Sequence, residues 1–357
     1  MTIFYRYVTR EIAFCFLIVL VSVMGIYVAV DFFEKIDNFL EADVPVYRCG
    51  VYLLYKLPFI LVQIAPMGFL VAVLVAIGLM IRNREVLAMT SCGISQMRLL
   101  QPVLGAGVIC GVVLFCIAEW IMPVCMSRAN QIWLQEVRKK NIYTDSQNIW
   151  LRSTDRIIHI TQYDPGAKQV FDVTVYRFDD QFNLIERIDA PSGVFLNTSW
   201  RMTDAMRQTF DAHGTVMVVE TREKLDVRLG IQPQELTDVV KGSDEMSMAE
   251  LGRRIEKVKK DGSSTTRYQV DYANKGTLAF VCVLLGLLGT GIALKATLHE
   301  AMARRILYGL AAAFLYWTFG SFCLSLGYAE MLPPLISAWV ANGVFLCVAG
   351  LMLLSER

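Results

Sequence analysis

The chain has 357 residues, 55% of them hydrophobic and 19% charged, with 34 Lys and Arg against 33 Asp and Glu. Soluble domains average about 45–50% apolar and about 25% charged, so a simple soluble domain and a disordered chain are both excluded. A net charge of +1 leaves no electrostatic footprint for nucleic acid. Residues 126–276 hold 44 of the 67 charges, which leaves two strongly apolar blocks around a water-compatible middle.

Crossing a bilayer takes about 20 apolar residues. Six runs qualify: 12–33, 59–81, 102–125, 276–294, 305–327 and 333–354. The first is too long for a signal-peptide core and lacks a small-residue cleavage site. It continues into Asp31-Phe32-Phe33-Glu34-Lys35, so it reads as a retained anchor. Short loops set the orientation. Arg6 and Arg10 precede span 1, Arg82, Arg84 and Arg98 separate spans 2 and 3, and Lys295, Arg304 and Arg305 separate spans 4 and 5. The loop 34–57 sets Lys35, Arg48 and Lys56 against four acids, and the last loop has Glu330 and no base. Both termini are therefore expected in the cytoplasm and residues 126–276 outside.

Span 2 carries Pro58 and Pro66 with Gln63 between them. Proline removes a helical hydrogen bond, so this is either a kinked packing helix or one lining a wet cavity. Residues 84–95 follow as a short amphipathic helix ending at Gly93, with apolar Val86, Leu87, Ala88 and Met89 around a single acid, Glu85. Such a helix needs either the bilayer surface or a groove in a cytoplasmic protein. Late in span 3, Glu119-Trp120 and Pro123 stand near the outer interface, where the carboxylate either caps or snorkels, or marks a polar contact between helices.

From residue 148 to 227 short alternating runs are separated by turn clusters at Asp164-Pro165-Gly166 and Asp179 to Asn183, while Asn197-Thr198-Ser199 fits a glycosylation pattern by chance as easily as by design. The alternating runs suggest an antiparallel sandwich or jelly roll, with 206–210 open to a helical reading. Ser247-Met248-Ala249-Glu250 is a capping box that opens an amphipathic helix through Lys260, closed by Asp261-Gly262. None of the nine cysteines falls between 126 and 276 and no CxxC pair exists, so they read as small packing residues. There is no GxxxxGK[ST], HExxH or GxSxG, and His159, His213 and His299 are far apart. Two other readings are a membrane sensor or scaffold with a ligand-binding outside domain, and a lipid enzyme using Glu119 or Asp31. The first lacks an output domain, and the second lacks a paired carboxylate or histidine.

The string Pro58, Pro66, Gly78, Glu85, Met89-x-x-x-Gly93-Ile94-Ser95, Glu119-Trp120-x-x-Pro123, with its flanking plan of three spans, a β domain and three spans, resembles the lipopolysaccharide-export permeases of the LptF/LptG (YjgP/YjgQ) family. Val175 to Phe178, Trp200-Arg201-Met202, Met246-Ser247-Met248 and Arg267 to Val270 are more similar to the LptG branch. Lys275-Gly276-Thr277-Leu278 stands where the family often has a proline at span 4.

The resemblance implies an α-helical integral membrane protein with six transmembrane helices plus an inserted periplasmic antiparallel, jelly-roll-like β domain. The expected division is 1–125 for spans 1–3, 126–246 for the β domain, 247–275 for a connecting helix and linker, and 276–357 for spans 4–6. It further implies the permease subunit of an ABC transporter in the bacterial inner membrane. That transporter extracts lipopolysaccharide from the outer leaflet and passes it to a periplasmic bridge. The implied partners are an LptF-like permease, an LptB-like ATPase dimer that holds the ATP and magnesium, and an LptC-like single-span protein; this chain itself holds no cofactor or metal and is not an enzyme. Residues 84–95 correspond to the family's coupling helix, so Arg84, Glu85, Val86, Leu87, Met89, Gly93 and Ser95 are the expected ATPase contacts. A path for a phosphorylated, acylated lipid needs an apolar wall with bases at its rim. Spans 1 and 2 offer Phe32, Phe33, Phe59 and Phe69 for the wall and Lys35 and Lys56 for the rim.

Overall fold

The computed structural model describes every residue other than 1, 138–148, 153–155, 165–166, 180–182, 197–198, 212–215, 228, 230–241, 261–263, 296–301 and 355–357. Pro165-Gly166, Asp180 to Phe182, Asn197-Thr198, His213, Asp261-Gly262 and His299 lie outside the described residues. The chain forms two compact units. One comprises Met1–Ile132, Ser243–Glu256 and Ser264–Arg357, and the other Trp133–Gly242 with Lys257–Ser263.

In the first unit six helical segments are long and apolar enough to span a membrane. They are α1 (Thr2–Glu41), α2 (Val46–Arg82), the pair α4 (Leu100–Cys116) and α5 (Met122–Ile132), α7 (Thr266–Lys295), α8 (Met302–Tyr328) and α9 (Pro334–Leu354). Two shorter helices are α3 (Glu85–Ser91) and α6 (Met248–Lys260).

Helix α1 corrects the expected loop at 34–57. Its 40 residues, at ~1.5 Å each, reach about 60 Å, twice the ~30 Å hydrocarbon thickness. The chain then turns in four residues. The Val44 amide bonds the Phe39 carbonyl at 3.0 Å while Asp43 takes φ 56°, an αL helix stop, and Pro45 precedes the first residue of α2. Charge carries a helix out of the membrane here without ending it.

Two-thirds of the most apolar stretch of α2 and of α7 is buried, against 11% for α1 and 17% for α8. The first two form the centre, and the other two are largely exposed. Helix α2 continues through both prolines, and Pro66 is buried in the core, so the packing-helix alternative holds there. Close approach is set by small residues: a β-carbon at Gly111 of α4 would collide with the Ala279 carbonyl of α7.

The second unit holds one antiparallel sheet, with β1 (Ile149–Arg152), β2 (Arg156–Asp164), β3 (Gln169–Phe178), β4 (Leu184–Leu196), β5 (Ser199–Phe210) and β6 (Val216–Val227) in sequential order. The inserted antiparallel β domain is as expected. Its described strands form an up-and-down meander, without the crossover that a Greek-key jelly roll has. Residues 206–210 belong to β5 and are extended, not helical. Ile158, Ile160, Val170, Val173, Val175, Ile188, Trp200 and Met202 make the core of this face. Val170 and Val173 are both buried although three residues apart, with Asp172 between them at φ 48°, and Met202 and Ala205 likewise flank Asp204 at φ 51°; the strand register runs unshifted through both positions.

Candidate functional site

The segment expected to contact the ATPase is shorter and more firmly anchored than its sequence suggests. Arg84 is not helical: it takes φ 62° before α3 begins at Glu85. Gly93, at φ 77°, ends the helix, with the Ile94 amide on the Met89 carbonyl at 3.0 Å. Ser95 then caps the next turn through the Met97 amide at 3.3 Å. The four apolar residues of α3 divide by face. Val86 is buried and Met89 packs against the bundle core, whereas Leu87 is 51% exposed and Ala88 is exposed beside it. Of these four, only Leu87 and Ala88 are therefore open to a partner.

Glu85 is held from both sides. The Tyr7 hydroxyl of α1 donates to its Oε2 at 3.1 Å, and the Asn83 amide to its Oε1 at 3.4 Å. Tyr7 lies 78 residues away in sequence, and nothing in the sequence pattern pointed to it.

The residues expected to form a lipid path separate in the structure. Phe32 and Phe33 are neighbours, with ring centroids 5.7 Å apart, and Phe33 is 72% exposed. Phe59 and Lys35 are half-buried. Phe69 does not serve as wall: it is buried at the packed centre, edge-on to Phe16 at 5.8 Å and beside Gly286. Lys56 is not a bare rim cation, because its Nζ donates to both carboxylate oxygens of the buried Asp31 at 2.8 Å. By contrast, α8 presents Tyr308, Phe314 and Phe319 outward.

Glu119 lies in a π turn, Ile117–Ile121, between α4 and α5. Its carboxylate accepts the Met248 amide at 2.7 Å and the Ala249 amide at 3.4 Å, at the N-terminus of α6. The next two amides are satisfied locally, Glu250 by the Ser247 Oγ at 3.2 Å and Leu251 by the Ser247 carbonyl at 2.9 Å. In return the Ser247 amide donates to Glu250 at 2.9 Å, completing the expected capping box. All four amides left open by helix geometry thus have acceptors. Lys275 of α7 donates to the Met246 carbonyl and Asn130 of α5 to Glu245, so four segments meet at this cap. Capping was one of the readings open for Glu119, but its partner could not be named from the sequence.

Six membrane-length helices interrupted by an antiparallel β unit, with a short docked helix after the second, define a polytopic membrane protein. The family model of the lipopolysaccharide export system permease LptF/LptG matches residues 6–355, and the chain belongs to that family. It is 18% identical to the lipopolysaccharide export system permease protein LptG of Haemophilus influenzae, over 99% of this chain and 98% of that one. It is accordingly a multi-pass permease of an ABC-type lipopolysaccharide transporter and does not itself catalyse a reaction.

Proposed function

We propose that this chain is the LptG-type half of a heterodimeric permease whose other half is LptF-like, with an LptB-like ATPase dimer beneath and an LptC-like single-span protein beside it. In this reading the termini and α3 are cytoplasmic and the β unit periplasmic, which the Arg-rich short loops support. ATP and magnesium are bound by the ATPase. Its closure is relayed through α3, and lipopolysaccharide leaves the outer leaflet of the inner membrane for a periplasmic bridge.

The observation that carries the coupling role is the division of α3. One face is fixed in the bundle by Val86 and Met89, and the other offers Leu87 and Ala88. A helix held in this way passes a push from a docked partner into α1 and α2 rather than swinging free. Leu87→Asp should abolish ATPase copurification while leaving the purified permease folded, whereas Val86→Asp should unfold the bundle around it. ATPase capture and lipid export both unchanged in Leu87→Asp would contradict the coupling role.

For the lipid path, the exposed Phe33, with the half-buried Phe32 beside it, and the outward aromatics of α8 are the better wall. Phe69 and Lys56 are committed elsewhere. Photo-crosslinkers at Phe33 and Phe314 should capture lipopolysaccharide during ATP turnover. Capture at neither position would move the path off both helices.

A further inference from the structure

We propose that Tyr7 is a positioning residue for energy coupling: its hydroxyl, bonded to Glu85, carries the movement of α3 into α1. The proposal deepens the reading of α3 as the element that meets the ATPase, and rests on it. The chain itself joins α3 to α2 through the two residues Asn83 and Arg84, and on the other side to a short helical turn, Gln96–Leu99, that leads into α4. No part of that covalent path leads to α1. The Tyr7 hydroxyl makes the connection instead, donating to the Glu85 Oε2 at 3.1 Å across 78 residues of sequence.

Both ends of this bond are well placed. On α1, Val8, Ile12 and Cys15 recur at helical spacing and are buried, and Phe4 packs against the same core. Beyond them the helix opens, with Leu17, Ile18 and Val21 exposed. Tyr7 therefore holds α1 at its packed end, beside the buried Val8, where a close-packed contact has little compressibility and passes a displacement on. On α3, Glu85 and Ala88 are three residues apart and so are neighbours on the helix surface. Ala88 is exposed, which sets the carboxylate at the edge of the surface open to a partner. A carboxylate has about four lone-pair sites. Tyr7 uses one on Oε2 and Asn83 one on Oε1, and the others can accept from a donor on a docked ATPase without breaking the bond to Tyr7. The ATPase, Glu85, Tyr7 and α1 then form one continuous path. A hydrogen bond to an ionised acceptor is about twice as strong as a neutral one, which suits a link that carries load. Tyr5, two residues earlier, provides a comparison: its hydroxyl lies against Gly105 of α4.

The test uses the full chain with its partner subunits in proteoliposomes loaded with lipopolysaccharide, with ATP hydrolysis and lipid extraction measured on the same sample. Tyr7→Phe keeps the ring and removes only the hydroxyl. The expected result is unchanged ATPase copurification, an unchanged thermal midpoint and continued hydrolysis, with lipid extracted per ATP reduced at least threefold. Tyr5→Phe removes the same group from a side chain that faces α4, and should keep the wild-type ratio. A wild-type ratio in Tyr7→Phe overturns the proposal. Loss of ATPase capture or a lowered thermal midpoint in Tyr7→Phe also overturns it, because the hydroxyl is then a docking or folding contact. An equal fall in Tyr5→Phe overturns it as well, since the effect is then not that of the bond to Glu85. Failure of the wild-type chain to capture the ATPase defeats the coupling reading itself, and is seen before any variant is compared.

Discussion

Glu119, in the third span, accepts the backbone amide of Met248 at 2.7 Å across 129 residues of intervening chain. A carboxylate at a helix N-terminus gains both from charge-assisted hydrogen bonds and from the helix dipole. Because the Ser247–Glu250 box already serves its own end of α6, Glu119 supplies what the local sequence cannot. The π turn around it provides the extra residue that aims its side chain there.

Glu119→Ala should therefore release the Met248 and Ala249 amides specifically. The expected cost is about 1–2 kcal/mol, corresponding to roughly 5–30-fold faster exchange at those amides. Glu119→Gln retains one acceptor oxygen and should fall between. Hydrogen exchange by mass spectrometry on peptides covering 246–252 reads this directly, and unchanged protection in Glu119→Ala would contradict the cap.

The Asp31–Lys56 pair is the second relationship that constrains the spans. Both groups are largely withdrawn from solvent, with side chains 8% and 14% exposed. Removing one partner of a buried pair leaves an uncompensated charge and typically costs about 3–5 kcal/mol, while replacing both with apolar residues of similar volume is often close to neutral. Asp31→Asn alone should lower the thermal midpoint of the purified permease well below that of Asp31→Leu/Lys56→Met. If the single and double variants melt together, the two side chains are not coupled.

Gly111 offers a packing test with an internal control. A β-carbon there meets the Ala279 carbonyl of α7, whereas one at Gly25 of α1 meets nothing within 4 Å. Gly111→Ala should destabilise by about 1–3 kcal/mol through overpacking. Gly25→Ala should be neutral or slightly stabilising. Equal melting of the two variants would show that α4 and α7 are not in close contact.

How much of this was legible in the sequence follows from what each feature depends on. Spans depend on composition over about 20 residues, so all six were visible. Their true lengths were not, because Glu34, Lys35, Asp37 and Glu41 signal the edge of the membrane but continue the helix. Strand alternation was visible where it is regular. It fails across Asp172 and Asp204, whose left-handed backbone accompanies a change of inward face and which carry no mark in a linear pattern. A short helix after the second span was legible, but its faces were not, since whether Val86 or Leu87 turns inward depends on the bundle it docks against. Lys56 read as a rim charge only because Asp31, 25 residues earlier, could not be seen to reach it. Phe69 read as cavity wall for the same reason: only tertiary packing against Phe16 and Gly286 shows it to be core.

The coupling role of α3 is tested most directly by a photo-crosslinking amino acid placed in turn at Leu87, Ala88 and Met89 of the intact transporter in membranes. Leu87 and Ala88 face outward and Met89 packs into the bundle. The account predicts strong crosslinks to the ATPase subunit from Leu87 and Ala88, weaker ones from Met89, and a yield at Leu87 that changes on adding ATP. Crosslinks from Leu87 to lipid alone, with none to the ATPase under any nucleotide condition, would make α3 a membrane-surface helix and contradict its role as the coupling element.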